Sequence, residues 1–203
     1  HNSREKSPKY LIEIDKNFNE NSYFQFIDDK NYLLEVEKLY KAKVGQRMQR
    51  LHIKNLIKET VISLEDYHSE KDVIELFKGL NKRFGGHELL ELSIHRDEGY
   101  FLKDDISYYP TKDILFKDSS WFIKSDDLKK DFTNEDFNIK VDINDYKKVL
   151  NLHAHAKFSM FDKSLSKNAR MQKKDMSERI KFVADFLKLD YSPDSKTRYI
   201  QKS

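Results

Sequence analysis

The chain contains no cysteine, which excludes disulfides and every thiolate-ligated metal site, and fits a reducing compartment. Glycine is scarce, at five residues in 203; folds built from many short strands on glycine-rich turns are therefore disfavoured. No apolar run approaches the roughly 18 residues of a membrane helix, and no signal-peptide pattern is present. One sign of charge does not dominate either. The net charge is only +3, although 36% of the residues are charged and 38% apolar. These absences leave a soluble chain long enough for one substantial domain, with no membrane partner.

The charges that are present are unevenly placed. From Lys163 to Lys181 there are seven Lys or Arg against two acids, whereas 100–150 carries nine Lys against eleven acids. The first run reads as a polyanion track or a solvated helix face. The second segment also holds ten aromatic residues, Trp121 among them. It reads either as a subdomain with its own small core or as a platform that stacks unpaired bases. Its net charge of −2 argues against a phosphate clamp, so stacking would fall to Trp121, Tyr108 or Tyr109. A structureless connection of that length would be unusual.

Periodicity predicts the elements. Residues 30–50 show helical spacing at Leu33, Val36, Leu39 and Tyr40. "ETVISL" (59–64) is short and β-branched, a strand. "SEKDVIELFKGLNKRFGG" (69–86) opens with a Ser-x-x-Asp cap and closes on a glycine pair, so it is a helix. "LLELSIH" (89–95) and "NLHAHAKFSM" (151–160) are strands, and 169–189 is a long amphipathic helix. The order implies an α+β fold, a central antiparallel-type sheet with helices over one face. All 203 residues then form one domain, with 100–150 inserted between two of its strands.

Strand alternation divides these residues sharply. In 151–160, Leu152, Ala154, Ala156, Phe158 and Met160 share one face, and His153, His155, Lys157 and Ser159 the other. In 89–95, Leu90, Leu92 and Ile94 oppose Glu91, Ser93 and His95. Were the two strands neighbours, three imidazoles would converge on one sheet face, with positions left open for water or substrate. A strand continuing past His95 would add Asp97 to that face; Glu98 could turn in only if the strand broke near Arg96, as Gly99 allows. His52, His68 and His87 lie in polar stretches, are expected to be exposed, and are given no role.

"SIHRDEG" followed by "NLHAHAKF" resembles the HxDE and HxH signatures of HUH-type DNA relaxases, specifically the Mob/Pre (MOBV) plasmid mobilisation family. "HNSR" at the start resembles that family's HNxR motif, and "NSYF" (21–24) its N-Y-containing motif. The resemblance spans the chain apart from 100–150. It implies a metal site of His95, His153, His155 and Glu98, with Asp97 supporting it. Manganese is the expected ion, with magnesium or zinc as alternatives. It also implies site-specific nicking of one DNA strand at an origin of transfer by transesterification, through a covalent 5′-phosphoryl-protein intermediate.

The resemblance nominates His1 as nucleophile with Arg4 beside it; Tyr23 is the rival nucleophile, and Tyr10 a weaker one. Lys163, Lys167, Arg170, Lys173 and Lys174, on the basic helical stretch 163–174, are the expected phosphate contacts. Single-stranded or hairpin DNA, relaxosome accessory proteins and type IV secretion coupling proteins are the implied partners, in a bacterial cytoplasm. The chain opens at His1 without methionine, so residues are expected upstream.

One departure from the family pattern stands out: 54 residues separate Glu98 from His153, where the family has a few. Loop-closure entropy grows slowly with length, so the insertion is tolerable if its ends meet. Rolling-circle initiators and single-strand transposases of the HUH class share the metal motif without HNxR in this order. A cupin-type metal oxygenase and a non-catalytic DNA-binding module are more distant readings.

Overall fold

A computed structural model describes Ile12 and residues 21–124, 137–169 and 173–190; for Lys173 and Lys174 it describes the backbone alone. The fold is mixed α+β, with antiparallel sheets and, among the described residues, four α-helices. None of those helices is long and apolar enough to cross a membrane. The chain divides into two compact units, one built on residues 22–94 and 153–190 and the other on 95–152 with Ile12 and Asn21.

In the first unit, strands β1 (Ser22–Gln25), β2 (Ile57–Ser63), β3 (Glu88–His95) and β10 (His153–Ser159) form a sheet in the order β1-β3-β10-β2. The two histidine-bearing strands are thus central neighbours, as the site requires. β1 is antiparallel to β3, with Tyr23 opposite Ser93; β10 is antiparallel to β2, with His155 opposite Val61. The apolar face expected from alternation is buried: Leu90, Leu92, Ile94, Ala154 and Ala156 are all fully inaccessible. Phe158 continues that face, and its ring meets Phe77 at 5.4 Å.

Phe77 belongs to α3 (Glu70–Phe84), which buries Val73, Leu76, Phe77 and Leu80 along one stripe. Its start is set by the predicted cap: the Asp72 carboxylate accepts from the Ser69 N–H at 2.8 Å and the Ser69 hydroxyl at 2.7 Å. Those donors hold the Asp72 carboxyl below its usual range. α4 (Lys173–Leu187) packs beside α3, with Phe182 edge-on to Phe84 at 5.9 Å.

Two helical expectations need correction. The periodic stretch 30–50 is helical only to Val44, as α1 (Asp29–Val44); 45–49 is a link, and a second helix, α2 (Arg50–Lys54), starts at its last residue. Gly45 stops the first by taking φ +75°, a left-handed cap that glycine adopts without steric cost. The stripe also shifts: Tyr32 and Val36 are buried with Leu56, Leu90 and Phe161, while Leu39 is exposed. The basic stretch 163–174 is likewise not one helix. Its first part is a short hairpin, β11 (Phe161–Asp162) against β12 (Lys167–Asn168), and the described helix runs from Lys173. Asp162 explains the turn, because its carboxylate accepts from Ser164 N–H, the Ser164 hydroxyl and Leu165 N–H.

The second unit has no α-helix among its described residues. It comprises two three-stranded sheets. One contains β4 (Gly99–Lys103), β5 (Ile106–Tyr108) and β9 (Lys147–Leu150); the other contains β6 (Ile114–Lys117), β7 (Ser120–Lys124) and β8 (Phe137–Val141). Hairpin turns at Asp104–Asp105 and Asp118–Ser119 put all four residues at positive φ, the twist that two-residue hairpins need.

Phe101, Ile114, Trp121 and Tyr146 form the core with Ile12. Trp121 stands edge-on to Phe101 at 4.9 Å. Of the two readings of 100–150, a segment with its own small core is therefore observed, with Ile12 added from outside it. Trp121, at 9% exposure, is enclosed and cannot serve as a stacking platform.

The ends of this segment meet, as expected. Gly99 pairs with Leu150, and the Asn151 N–H donates to the Glu98 carbonyl at 2.8 Å. A side chain at Gly99 would collide with the Val149 carbonyl, so glycine is what permits the close approach. Fifty-four residues are thereby spliced in where a short connection would serve.

Candidate metal centre

Alternation and pairing define one polar sheet face. It carries Tyr23 and Gln25 from β1, Glu91, Ser93 and His95 from β3, His153, His155 and Lys157 from β10, and Glu59, Val61 and Ser63 from β2. At one end, Lys157 Nζ lies 3.0 Å from Glu91 and 3.1 Å from Asp29. Burial works against the Lys157 charge, but the two carboxylates outweigh it and hold its pKa above the ordinary value. This triad satisfies the polar face where the sheet is not used for imidazoles.

At the other end His95, His153 and His155 come together. Each offers one ring nitrogen, and the three atoms lie within 4.8 Å of one another. The His153 and His155 rings are 5.1 Å apart at 64°, as expected for i, i+2 residues on a strand. His95 and His153 are buried and His155 is half-buried, so the cluster keeps one approachable side. The His155 Nδ1 donates to Glu59 Oε1 at 3.4 Å, which leaves Nε2 with its lone pair for an ion. Sequence reasoning missed Glu59. Its register opposite Lys157, diagonal to His155, appears only once β2 and β10 are paired.

β3 ends at His95, Arg96 leaves the strand, and Asp97 forms a bend. That is the break Glu98 needs in order to turn inward. His95, Asp97 and Glu98 form a second group whose ligand atoms lie within 4.8 Å, with His95 Nδ1 3.9 Å from Glu98 Oε1. Both carboxylates thus accompany the histidine, and Asp97 Oδ2 also accepts from Asn21 Nδ2 at 2.6 Å. Three imidazoles with an adjacent carboxylate are a donor set suited to a borderline divalent ion. The group could hold a metal ion; nothing in the arrangement specifies which.

The remaining candidates are scattered. Tyr23 is 42% exposed on the same sheet face. Lys163 is ion-paired with Glu35 and Glu88, both at 2.9 Å, while Lys167 is exposed on the β11–β12 hairpin. Lys173 and Lys174 open α4, and their side chains lie outside the described structure. His1, Arg4, Tyr10 and Arg170 also lie outside the described residues. Tyr109 is exposed beside Tyr100 at 5.4 Å, whereas Tyr108 packs edge-on against Tyr146.

Of the three histidines expected at the surface, only His52 is there. His68 is buried, accepting from Glu65 N–H at Nδ1 and donating from Nε2 to the Leu187 carbonyl, both at 2.8 Å. His87 is buried flat against Phe158, donates to the Gly85 carbonyl and accepts from Arg179 Nε. Burial, aided by the Arg179 charge, pushes its pKa down to about 4. Polar sequence neighbours concealed both, because their partners are 119 and 92 residues away.

Fold and cluster together define a mixed α+β protein with an imidazole-rich candidate metal centre on a sheet face. No protein-family model, curated protein or solved structure matches the chain.

Proposed function

We propose that this chain is a metal-dependent DNA-nicking enzyme of the HUH relaxase kind, akin to the Mob/Pre (MOBV) mobilisation proteins. One observation carries the reading. The residues that resemble the HxDE and HxH motifs, distant in sequence, are the same ones that gather as imidazoles and carboxylates at one end of a sheet. His95, His153, His155 and Glu98 would hold the ion, manganese before magnesium or zinc. Bound there, it would supply Lewis acidity toward a phosphoryl oxygen and orient the scissile phosphate.

The chain's own residues divide the remaining work. Glu59 fixes the His155 tautomer. A side-chain nucleophile attacks the phosphorus, forming the 5′-phosphoryl-protein bond as the P–O3′ bond breaks, and the proton that the nucleophile gives up ends on the 3′-oxygen, which leaves as a hydroxyl. His1 is favoured as nucleophile, because a neutral imidazole attacks without first losing a proton, whereas a tyrosine near pKa 10 must be ionised. Tyr23 is the alternative, on the same face as the histidines. Arg4 would steady the phosphate. Lys167, Arg170, Lys173 and Lys174, with Lys163 only if its ion pairs open, would contact the backbone of single-stranded or hairpin DNA at an origin of transfer. Relaxosome accessory proteins and a type IV coupling protein are the wider partners, in the bacterial cytoplasm.

The test is nicking of supercoiled plasmids carrying candidate transfer origins, with Mn²⁺ and with excess EDTA. His153→Ala is expected to abolish metal-dependent nicking and to weaken Mn²⁺ binding at least about 100-fold, since it removes a direct ligand. Cleavage that persists in EDTA would sink the proposal. Metal and DNA binding with no cleavage of any origin would instead favour a non-catalytic DNA-binding module.

A further inference from the structure

The sequence leaves Asp97 and Glu98 competing for one role, and the structure contains a device that separates them. β1 starts at Ser22, opposite Ile94. Had the ladder continued, Asn21 would face His95 as a strand residue. Instead its side chain takes over. Oδ1 accepts from the Arg96 N–H at 2.7 Å, and Nδ2 donates to Asp97 Oδ2 at 2.6 Å. Chemistry forces this orientation of the amide: a backbone N–H can only donate, and a carboxylate can only accept. The adjoining carbonyls are also held, that of Asp97 by the Ile12 N–H at 3.1 Å and that of Glu98 by the Asn151 N–H at 2.8 Å.

From this geometry we infer that Asn21 is a positioning residue that selects the carboxylate serving the histidine cluster. It engages Asp97 and keeps the strand broken at Arg96, which turns Glu98 toward His95. The inference rests on the metal-binding reading above and adds to it a named selector. In an extended strand, Asp97 shares the His95 face and Glu98 points away. The break at Arg96 lets Glu98 turn in beside Asp97, so that both carboxylates reach His95. Asn21 supplies two of the hydrogen bonds that favour the broken form, one of them occupying Asp97 Oδ2. The two bonds together require a side chain that carries an acceptor and a donor on one planar group.

The experiment is a double-mutant cycle read by Mn²⁺ affinity, from titration calorimetry and from the electron paramagnetic resonance signal of free Mn²⁺; no turnover is involved. In the otherwise unaltered chain, Glu98→Gln should weaken Mn²⁺ about tenfold or more, and Asp97→Asn less than about twofold. With Asn21→Leu, the Asn21 hold on Asp97 Oδ2 is removed, and the same Asp97→Asn change should then cost about tenfold. Asn21→Asp keeps the acceptor for Arg96 but sets a carboxylate against Asp97. It should show the same gain in Asp97 sensitivity, and it serves if Asn21→Leu fails to fold. An Asp97→Asn effect identical in all three backgrounds, or larger than that of Glu98→Gln in the first, overturns the inference while leaving the metal site intact. Absence of Mn²⁺ binding in the unaltered chain overturns both.

Discussion

The two units solve the same problem, enclosing apolar side chains, with different materials. In the unit of residues 22–94 and 153–190, one four-stranded sheet turns Leu90, Leu92, Ile94, Ala154 and Ala156 toward a helical layer. Its other face remains free for polar work. In the unit of residues 95–152, two three-stranded sheets gather Phe101, Trp121 and Tyr146 with no α-helix among the described residues. A helix-backed sheet can dedicate a whole face to chemistry because its core lies entirely on the other side. Small sheets without a helical layer rely on large aromatic rings, each of which buries much area. Phe101, Trp121 and Tyr146 of 100–150 are accordingly spent on packing.

Three interventions would break or sharpen that contrast, in decreasing order of effect. Phe101→Ala should destabilise the 95–152 unit by about 3–5 kcal/mol, as expected for removing a fully buried ring. Trp121 is the chain's single tryptophan and abuts Phe101, so its fluorescence reports this unit alone. If urea unfolding followed by Trp121 emission is unshifted, aromatic packing is not what holds these sheets.

The helix-backed unit should answer instead to pH. His87 is neutral in the fold, with its pKa depressed to about 4, and regains about 6.5 when unfolded. Between these values the unfolded chain binds the extra proton. Stability is therefore full above about pH 6.5, falls as the pH drops, and levels off below about 4, a loss on the order of 3 kcal/mol. Thermal melts from pH 7.5 to 4 would reveal the slope. His87→Asn, which tolerates the positive φ at this position, should flatten it.

The smallest effect separates the polar face from the core behind it. Glu59→Gln removes a charged acceptor from His155 without touching any buried apolar contact, and should weaken divalent binding roughly tenfold. Calorimetric titration checks this, and an unchanged melting temperature in the metal-free protein would confirm that the loss is local.

Much of the helix-backed unit could be read from local pattern. Ser69 and Asp72 announced α3, the glycine pair closed it, and alternation in 89–95 and 151–160 separated ligands from core. Periodicity overran at Gly45, because a single capping glycine interrupts a stripe without altering its spacing. The all-β unit was the opposite case. Its strands are three to five residues long, below the length at which alternation is distinctive, and its turns use Asp and Ser where Asn-Gly would have been a clear signal.

What the sequence determined by itself was chemistry and phase. It set which side chains can ligate, and which of them share a face, because a strand's two-residue period is a local property. Only the tertiary structure decided which strands are neighbours, and therefore that His95 meets His153 and His155 and that Glu59 stands beside His155. It also decided that His68 and His87 are buried, and that the strand breaks after His95 where Asn21 grips Arg96 and Asp97. Those outcomes depend on contacts between residues about 60 to 120 positions apart, which no local pattern encodes.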